Sequence, residues 1–218
     1  MTPELRRPHL VWDWNGTLLD DLSLVITATN AAFEAVGGPK VTADQHRRDF
    51  RRPIMDYYGE VLGRVIDAEE FGLLDQAFHE AYRLGMVNVG LAADAEAAMR
   101  AWPGTQSLLS MWFHEELVPA VEGYGLSGLL ARVDGNRAEL GGDRKAESLA
   151  AHLAALGQPG DRAVLVGDSV DDAEAAASVG AACVLYTGGF TDPDRLRSVG
   201  VPVADTLLDA VKIATTLD

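Results

Sequence analysis

Basic residues are scarce in this sequence, cysteine is almost missing and long apolar runs are absent; each shortage removes a class of protein. Eighteen Lys and Arg stand against 33 Asp and Glu, for a net charge of −15 over 218 residues. A chain so acidic repels nucleic acid and anionic membrane surfaces, so neither is expected as a partner. The single cysteine, Cys183, rules out an intramolecular disulfide and a thiolate zinc cluster. It lies in GAACVLY, which reads as a buried strand, and an inert core thiol is expected there. No apolar run approaches the ~20 residues of a membrane span. The opening MTPELRRPHL has no apolar h-region, which predicts a cytoplasmic protein. Walker A, G-x-G-x-x-G, G-x-S-x-G and H-E-x-x-H patterns are all missing. His114, which opens HEEL, is therefore read as a helix-start or exposed histidine and not as a zinc ligand.

What is present alternates between two kinds of segment. Residues 9–13 (HLVWD), 106–112 (QSLLSMW), 163–167 (AVLVG) and 181–186 (AACVLY) are short apolar runs of the kind that form buried parallel strands. Helical patterns fall between them, at 114–124, 143–156 and 171–179, with a last one near 205–217. The alternation predicts an α/β fold, a doubly wound, Rossmann-like parallel sheet. Residues 21–98 differ. They carry helical patterns at 22–36, 43–49, 54–62, 67–84 and 93–101 and no convincing strand. Gly37-Gly38 is suited to end the first of these and Thr42 to cap the second. The expected organisation is a core of residues 1–20 and 99–218 with an inserted α-helical cap domain at 21–98.

Polar side chains sit at or near the carboxyl ends of the expected strands: Asp13 after HLVW, Ser110 within SLLSMW, and Asp168 after AVLVG. Ligands of open parallel sheets bind outside those ends, so three polar groups delivered to one edge predict a site. The acid pair Asp171 and Asp172 in GDSVDD lies close by.

Together DWNGTL, LLSMW, Lys145 in GGDRKAES and GDSVDD resemble, in order, the four motifs of the haloacid dehalogenase superfamily, in the phosphoglycolate phosphatase-like subgroup with a helical cap. The resemblance covers nearly the whole chain. It implies a phosphatase in which Asp13 attacks phosphorus and forms an aspartyl-phosphate. It implies Mg²⁺ as cofactor, held by Asp13, Asp168, Asp172 and the backbone carbonyl of Asn15. Ser110 and Lys145 would act with Asp13 and Asn15 as the catalytic set. Gly16, Thr17, Ser110, Met111 and Lys145 would surround the phosphoryl group. Asp171 matches a variable position and is the poorer metal ligand.

One position departs from the pattern. Family phosphatases carry Asp two residues after the nucleophile, where this chain has Asn15. A carbonyl for the metal survives the exchange, but an amide neither gives nor takes a proton near pH 7. Loss of a positioned acid/base costs ~10²–10⁴-fold in rate, so a slow or specialised phosphatase is one reading. The alternative is a non-catalytic or weakly active relative that binds phosphate or a metabolite. Asn-Gly is also a turn signal, and turning the chain is a third reason for the triplet. Within the cap, RRDFRRP places Arg47, Arg48, Arg51 and Arg52 close together. One or two of them, with Arg51 and Arg52 as the candidates, would grip the remote part of an anionic substrate. The equal alternative is a solvated helix end paired with nearby Asp and Glu. Tyr57 and Tyr58 are expected to pack the cap. A small phosphorylated metabolite is the expected partner, and the chain is expected to be a monomer or homodimer.

Overall fold

A computed structural model describes residues 8–137 and 145–217. They form two compact units, one of residues 8–19, 91–137, 145–189 and 193–217, the other of residues 20–90 and 190–192.

The larger unit is built on a six-stranded, wholly parallel sheet. Its strands are β1 (His9–Trp12), β2 (Gln106–Phe113), β3 (Val133–Asn136), β4 (Ala163–Gly167), β5 (Ala182–Tyr186) and β6 (Val203–Ala204). Their order is β3-β2-β1-β4-β5-β6. This is the doubly wound arrangement, with its switch point between β1 and β4. Registers such as Val11 opposite Ser107 on one side and Leu165 on the other fix the central strands. All of β1 and β4 is buried, which is why both read as continuous apolar runs and not as alternating ones.

Val11, Leu109, Leu165, Cys183 and Leu185 share one cluster with Leu149 and Leu153 of α7 (Lys145–Leu156) and Ala173 and Ala176 of α8 (Val170–Ser178). Trp12 alternates to the opposite face, where its indole N–H donates to Gln106 Oε1 at 2.7 Å. The Gln106 amide in turn donates to the Met99 carbonyl of α5 (Ala95–Ala101). Helix α6 (His114–Gly123) follows β2, and α10 (Leu207–Ala214) packs on α5, β5 and β6. Cys183 is buried, and burial holds its thiol well above the usual range.

The smaller unit is helical: α1 (Leu22–Ala35), α2 (Ala43–Asp49), α3 (Ile54–Leu62) and α4 (Ala68–Gly85). Gly37, at φ 68°, turns the chain after α1. Thr42 caps α2 in a reciprocal box with Gln45. Phe33, Tyr57, Tyr58 and Leu74 form its core, and the buried Asp21 carboxylate accepts from Tyr82 Oη at 2.6 Å. The smaller unit ends at Gly90, earlier than the boundary at 98 read from the sequence. The reason is α5, which packs on α10, while Asp94 accepts from the backbone N–H of Leu208. Among the described residues, two strands and one α-helix escaped the sequence reading. These are the short edge strands β3 and β6 and the five-residue α9 (Pro193–Arg197). The last helix is also shorter than expected, running from Leu207 to Ala214. Residues 143–144 of the expected seventh helix lie outside the described residues. Among the described residues no helix is long and apolar enough to cross a membrane.

Candidate active site

Beyond the carboxyl ends of β1 and β4, the two strands that flank the switch point, the chain delivers Asp13 and Asp168. The Asp13 backbone N–H donates to the Val166 carbonyl at 2.8 Å, which ties the end of β1 to β4. Asp172 joins them from the first turn of α8. Its place there is set locally: Ser169 caps the helix, and both its hydroxyl (2.6 Å) and its backbone N–H (3.0 Å) donate to Asp172 Oδ2. Ligand atoms of Asp13, Asp168 and Asp172 lie within 4.8 Å of one another, and all three residues are buried. Asp171 is outside this cluster.

Lys145 opens α7 and places its ammonium against both Asp13 Oδ1 and Asp172 Oδ1. One cation among three buried carboxylates leaves the centre short of positive charge. Burial, with the neighbouring Asp172, pushes the Asp13 carboxyl up to about 6, an effect that Lys145 offsets only in part. Burial alone would lower the Lys145 pKa, but Asp13 and Asp172 hold it above its ordinary value. A pocket of hard oxygen donors carrying this excess of negative charge fits a small divalent cation.

The turn after Asp13 is built to let the carboxylates approach. Gly16 sits at φ +72°, and a Cβ there would stand 2.5 Å from Asp168 Oδ2. Gly189 presses on the same carboxylate from a second side. The backbone N–H groups of Thr17 and Leu19 both donate to the Trp14 carbonyl. Thr17, expected near the phosphoryl group, donates its hydroxyl to Asp168 Oδ1 at 3.2 Å and Asp13 Oδ2 at 3.5 Å. The glycine and the closed loop support the turn reading of Asn15-Gly16-Thr17, and Asn15 has a further contact besides. Its Oδ1 accepts from Ser110 Oγ at 3.1 Å, and Ser110 Oγ accepts from the Trp112 N–H at 3.0 Å.

Ser110 therefore lies inside β2, which runs on to Phe113 with a register shift against β3 between Leu109 and Phe113. Met111 follows it, half-buried. Arg51 and Arg52 belong to the smaller unit, where Arg51 pairs with Glu60. His114 begins α6, and its Nδ1 accepts from the Gly135 N–H at 3.1 Å. Two contributors were missed from sequence, Ser169 and Gly189. The Ser-x-x-Asp capping pattern of SVDD could have signalled the first. Nothing local signals the second.

The fold and the site together define a doubly wound α/β protein with an acidic, cation-competent centre at the switch of its sheet. A family profile described as HAD-hydrolase-like matches residues 142–210. A phosphoglycolate phosphatase from Caulobacter vibrioides is 27% identical over 228 residues, covering 98% of this chain and 93% of that protein. Among solved structures, a haloacid dehalogenase-like hydrolase from Streptococcus pneumoniae superposes with a TM-score of 0.82 at 16% identity, covering 95% of this chain and 98% of that one. A predicted phosphoglycolate phosphatase from Haemophilus somnus gives 0.76 at 18%, covering 96% and 99%. At such identities the structures speak for the fold alone. In sequence the chain is similar to haloacid dehalogenase-like hydrolases over residues 142–210 and to a phosphoglycolate phosphatase over almost its whole length.

Proposed function

We propose that the chain is a Mg²⁺-dependent phosphatase that hydrolyses a small phosphorylated metabolite through an aspartyl-phosphate on Asp13. The observation that carries this reading is the convergence of Asp13, Asp168, Asp172 and Lys145 in one buried cluster. The similarity to phosphoglycolate phosphatase over almost the full chain makes phosphoglycolate the first ester to try.

In this reading the Asp13 carboxylate attacks phosphorus, a P–O bond forms and the ester P–O bond breaks. Water then hydrolyses the acyl phosphate and returns Asp13 as a carboxylate. Asp13, Asp168, Asp172 and the Asn15 carbonyl would hold the cation, which supplies charge stabilisation for the transferring phosphoryl group. Lys145 supports the same charge, and Ser110, whose hydroxyl donates to Asn15 Oδ1 and accepts from the Trp112 amide, would turn its single proton to the phosphoryl group when one is bound. The proton for the leaving oxygen comes from solvent, because Asn15 has none to give. Substrates with good leaving groups, acyl phosphates among them, lose least by this. The smaller helical unit is the cap in this reading, with Arg51 and Arg52 as its anion-binding side chains.

The test is phosphate release from a panel of esters and acyl phosphates, with and without Mg²⁺, by wild type and Asp13→Asn. Turnover that needs both Mg²⁺ and Asp13 is expected. Metal-dependent binding of the same compounds without phosphate release would sink the catalytic reading and leave a binding protein.

A further inference from the structure

A run of polar groups, buried at its middle and reaching an exposed Thr105 and a half-buried Asp134 at its ends, crosses the sheet. His9 Nδ1 meets Thr105 Oγ1 at 2.8 Å and His9 Nε2 meets Ser107 Oγ at 2.7 Å. Ser107 Oγ also meets His152 Nε2 at 2.7 Å, and His152 Nδ1 meets Asp134 Oδ2 at 2.8 Å. His9, Ser107 and His152 are all buried, on β1, β2 and α7. Neither the proposed reaction nor the comparisons assign them anything.

The protons in this run have an order. Asp134 is an acceptor only: burial favours its neutral form, but the bonds from His152 and Arg132 win and hold it down at about 2. His152 therefore donates through Nδ1. Burial, with His152 alongside, keeps His9 neutral near pH 7 by pulling it down to about 4. Ser107 has one proton to place between two Nε2 atoms. Taking one ring proton on each imidazole, a single arrangement uses every donor once and fills every acceptor: Thr105 to His9 Nδ1, His9 Nε2 to Ser107, Ser107 to His152 Nε2, His152 Nδ1 to Asp134.

The run also joins the elements that carry the site. Asp13 follows His9 by four residues at the end of β1, and Ser110 follows Ser107 by three along β2. Lys145 precedes His152 by seven, two turns along one face of α7. Apolar packing alone constrains sliding and rotation of these elements weakly; directional bonds between buried groups constrain both.

We propose that Thr105, His9, Ser107, His152 and Asp134 form a single proton-ordered hydrogen-bond chain, and that Ser107 and His152 act through it as positioning residues for Asp13, Ser110 and Lys145. The positioning half rests on the phosphatase reading above; the proton order does not. A misplacement of about 1 Å in a phosphoryl-transfer site is enough to cost ~10²-fold in rate.

Long-range ¹H–¹⁵N spectra of the full chain at pH 7.5 test the order. His9 is expected to carry its proton on Nε2 and His152 to carry one on Nδ1. Orthovanadate binding in Mg²⁺ tests the positioning. Ser107→Ala is expected to bind it about tenfold more weakly, at a temperature where circular dichroism shows both proteins folded. Ser107→Thr, which keeps the hydroxyl, is expected to recover most of that loss. A proton on His9 Nδ1, or none on His152 Nδ1, would overturn the chain, and wild-type spectra decide this even if Ser107→Ala cannot be purified. Unchanged vanadate affinity in Ser107→Ala, with only a lower melting temperature, would reduce the network to core stability and overturn the positioning role. Failure of wild type to bind vanadate would overturn the phosphatase reading and the positioning together, while the spectra still decide the proton order.

Discussion

Ser110 Oγ donates to Asn15 Oδ1 across 3.1 Å, so the amide oxygen stands where a carboxylate oxygen could accept the same bond. Asn15→Asp therefore keeps the acceptor for Ser110 and adds the missing proton carrier. Phosphate release is expected to rise by about 10²-fold for ordinary esters. A much smaller rise is expected for acyl phosphates, whose leaving group needs no proton. Side-by-side turnover numbers for the two substrate types check this; equal gains on both would argue that Asn15 does something other than replace an acid/base.

The strands that position the site were legible because they are buried on both faces. HLVW and AVLVG leave no polar alternation to confuse the reading, and Asp13 and Asp168 break them at the edge where ligands bind. Edge strands gave no such signal: VDGN of β3 is half-buried and contains Asp, Gly and Asn, and β6 has only two residues. The convergence of Asp13, Asp168, Asp172 and Lys145 was readable from motif order. By contrast, the bond between Ser110 and Asn15, and the run from His9 to Asp134, join residues on different elements with ordinary local patterns. Such pairings depend on strand order and register, which no local spacing encodes.

Gly16 is expected to tolerate no side chain. Its φ of +72° and the nearness of Asp168 both oppose a Cβ. Gly16→Ala should cost about 1–3 kcal/mol of stability from backbone conformation alone. It should also displace Asp168 and weaken Mg²⁺ binding. Urea denaturation with and without Mg²⁺, together with calorimetric Mg²⁺ titration, measures both effects; normal metal affinity in the variant would show that Asp168 is not a ligand.

Asp13→Asn should abolish turnover yet make the metal-free protein more stable. The native carboxyl is raised by burial to about 6, above its unfolded value, so the native state holds the extra proton and its stability falls as pH rises from about 4 to 6. Above that window the ionised carboxylate remains a net cost, which the amide does not carry. A rise in melting temperature of roughly 5 °C at pH 7.5 without Mg²⁺ is expected. Mg²⁺ should narrow the difference by stabilising wild type more. A lower melting temperature for the variant in metal-free buffer would mean that the Lys145 pair outweighs the desolvation cost.

His46 gives the smaller unit an acid limit of its own. Its ring is buried, stacks on Phe50 at 4.7 Å, and meets Tyr57 Oη through Nδ1 at 3.0 Å, while Nε2 has no hydrogen-bond partner. Burial pulls its pKa down to about 4, below the unfolded value near 6.5. Between those values the unfolded chain binds the proton and the native one does not, so stability is complete above about 6.5 and falls as pH drops toward 4. The whole window is worth at most about 3 kcal/mol. His46→Gln keeps an amide for Tyr57 and removes the titration, so its urea midpoint should fall less steeply over that range than wild type's. Because Asp13 pulls the metal-free larger unit in the opposite direction over part of the same range, the comparison belongs in Mg²⁺, monitored by far-ultraviolet circular dichroism. Parallel pH profiles for the two proteins would rule out His46 as the group that sets the limit.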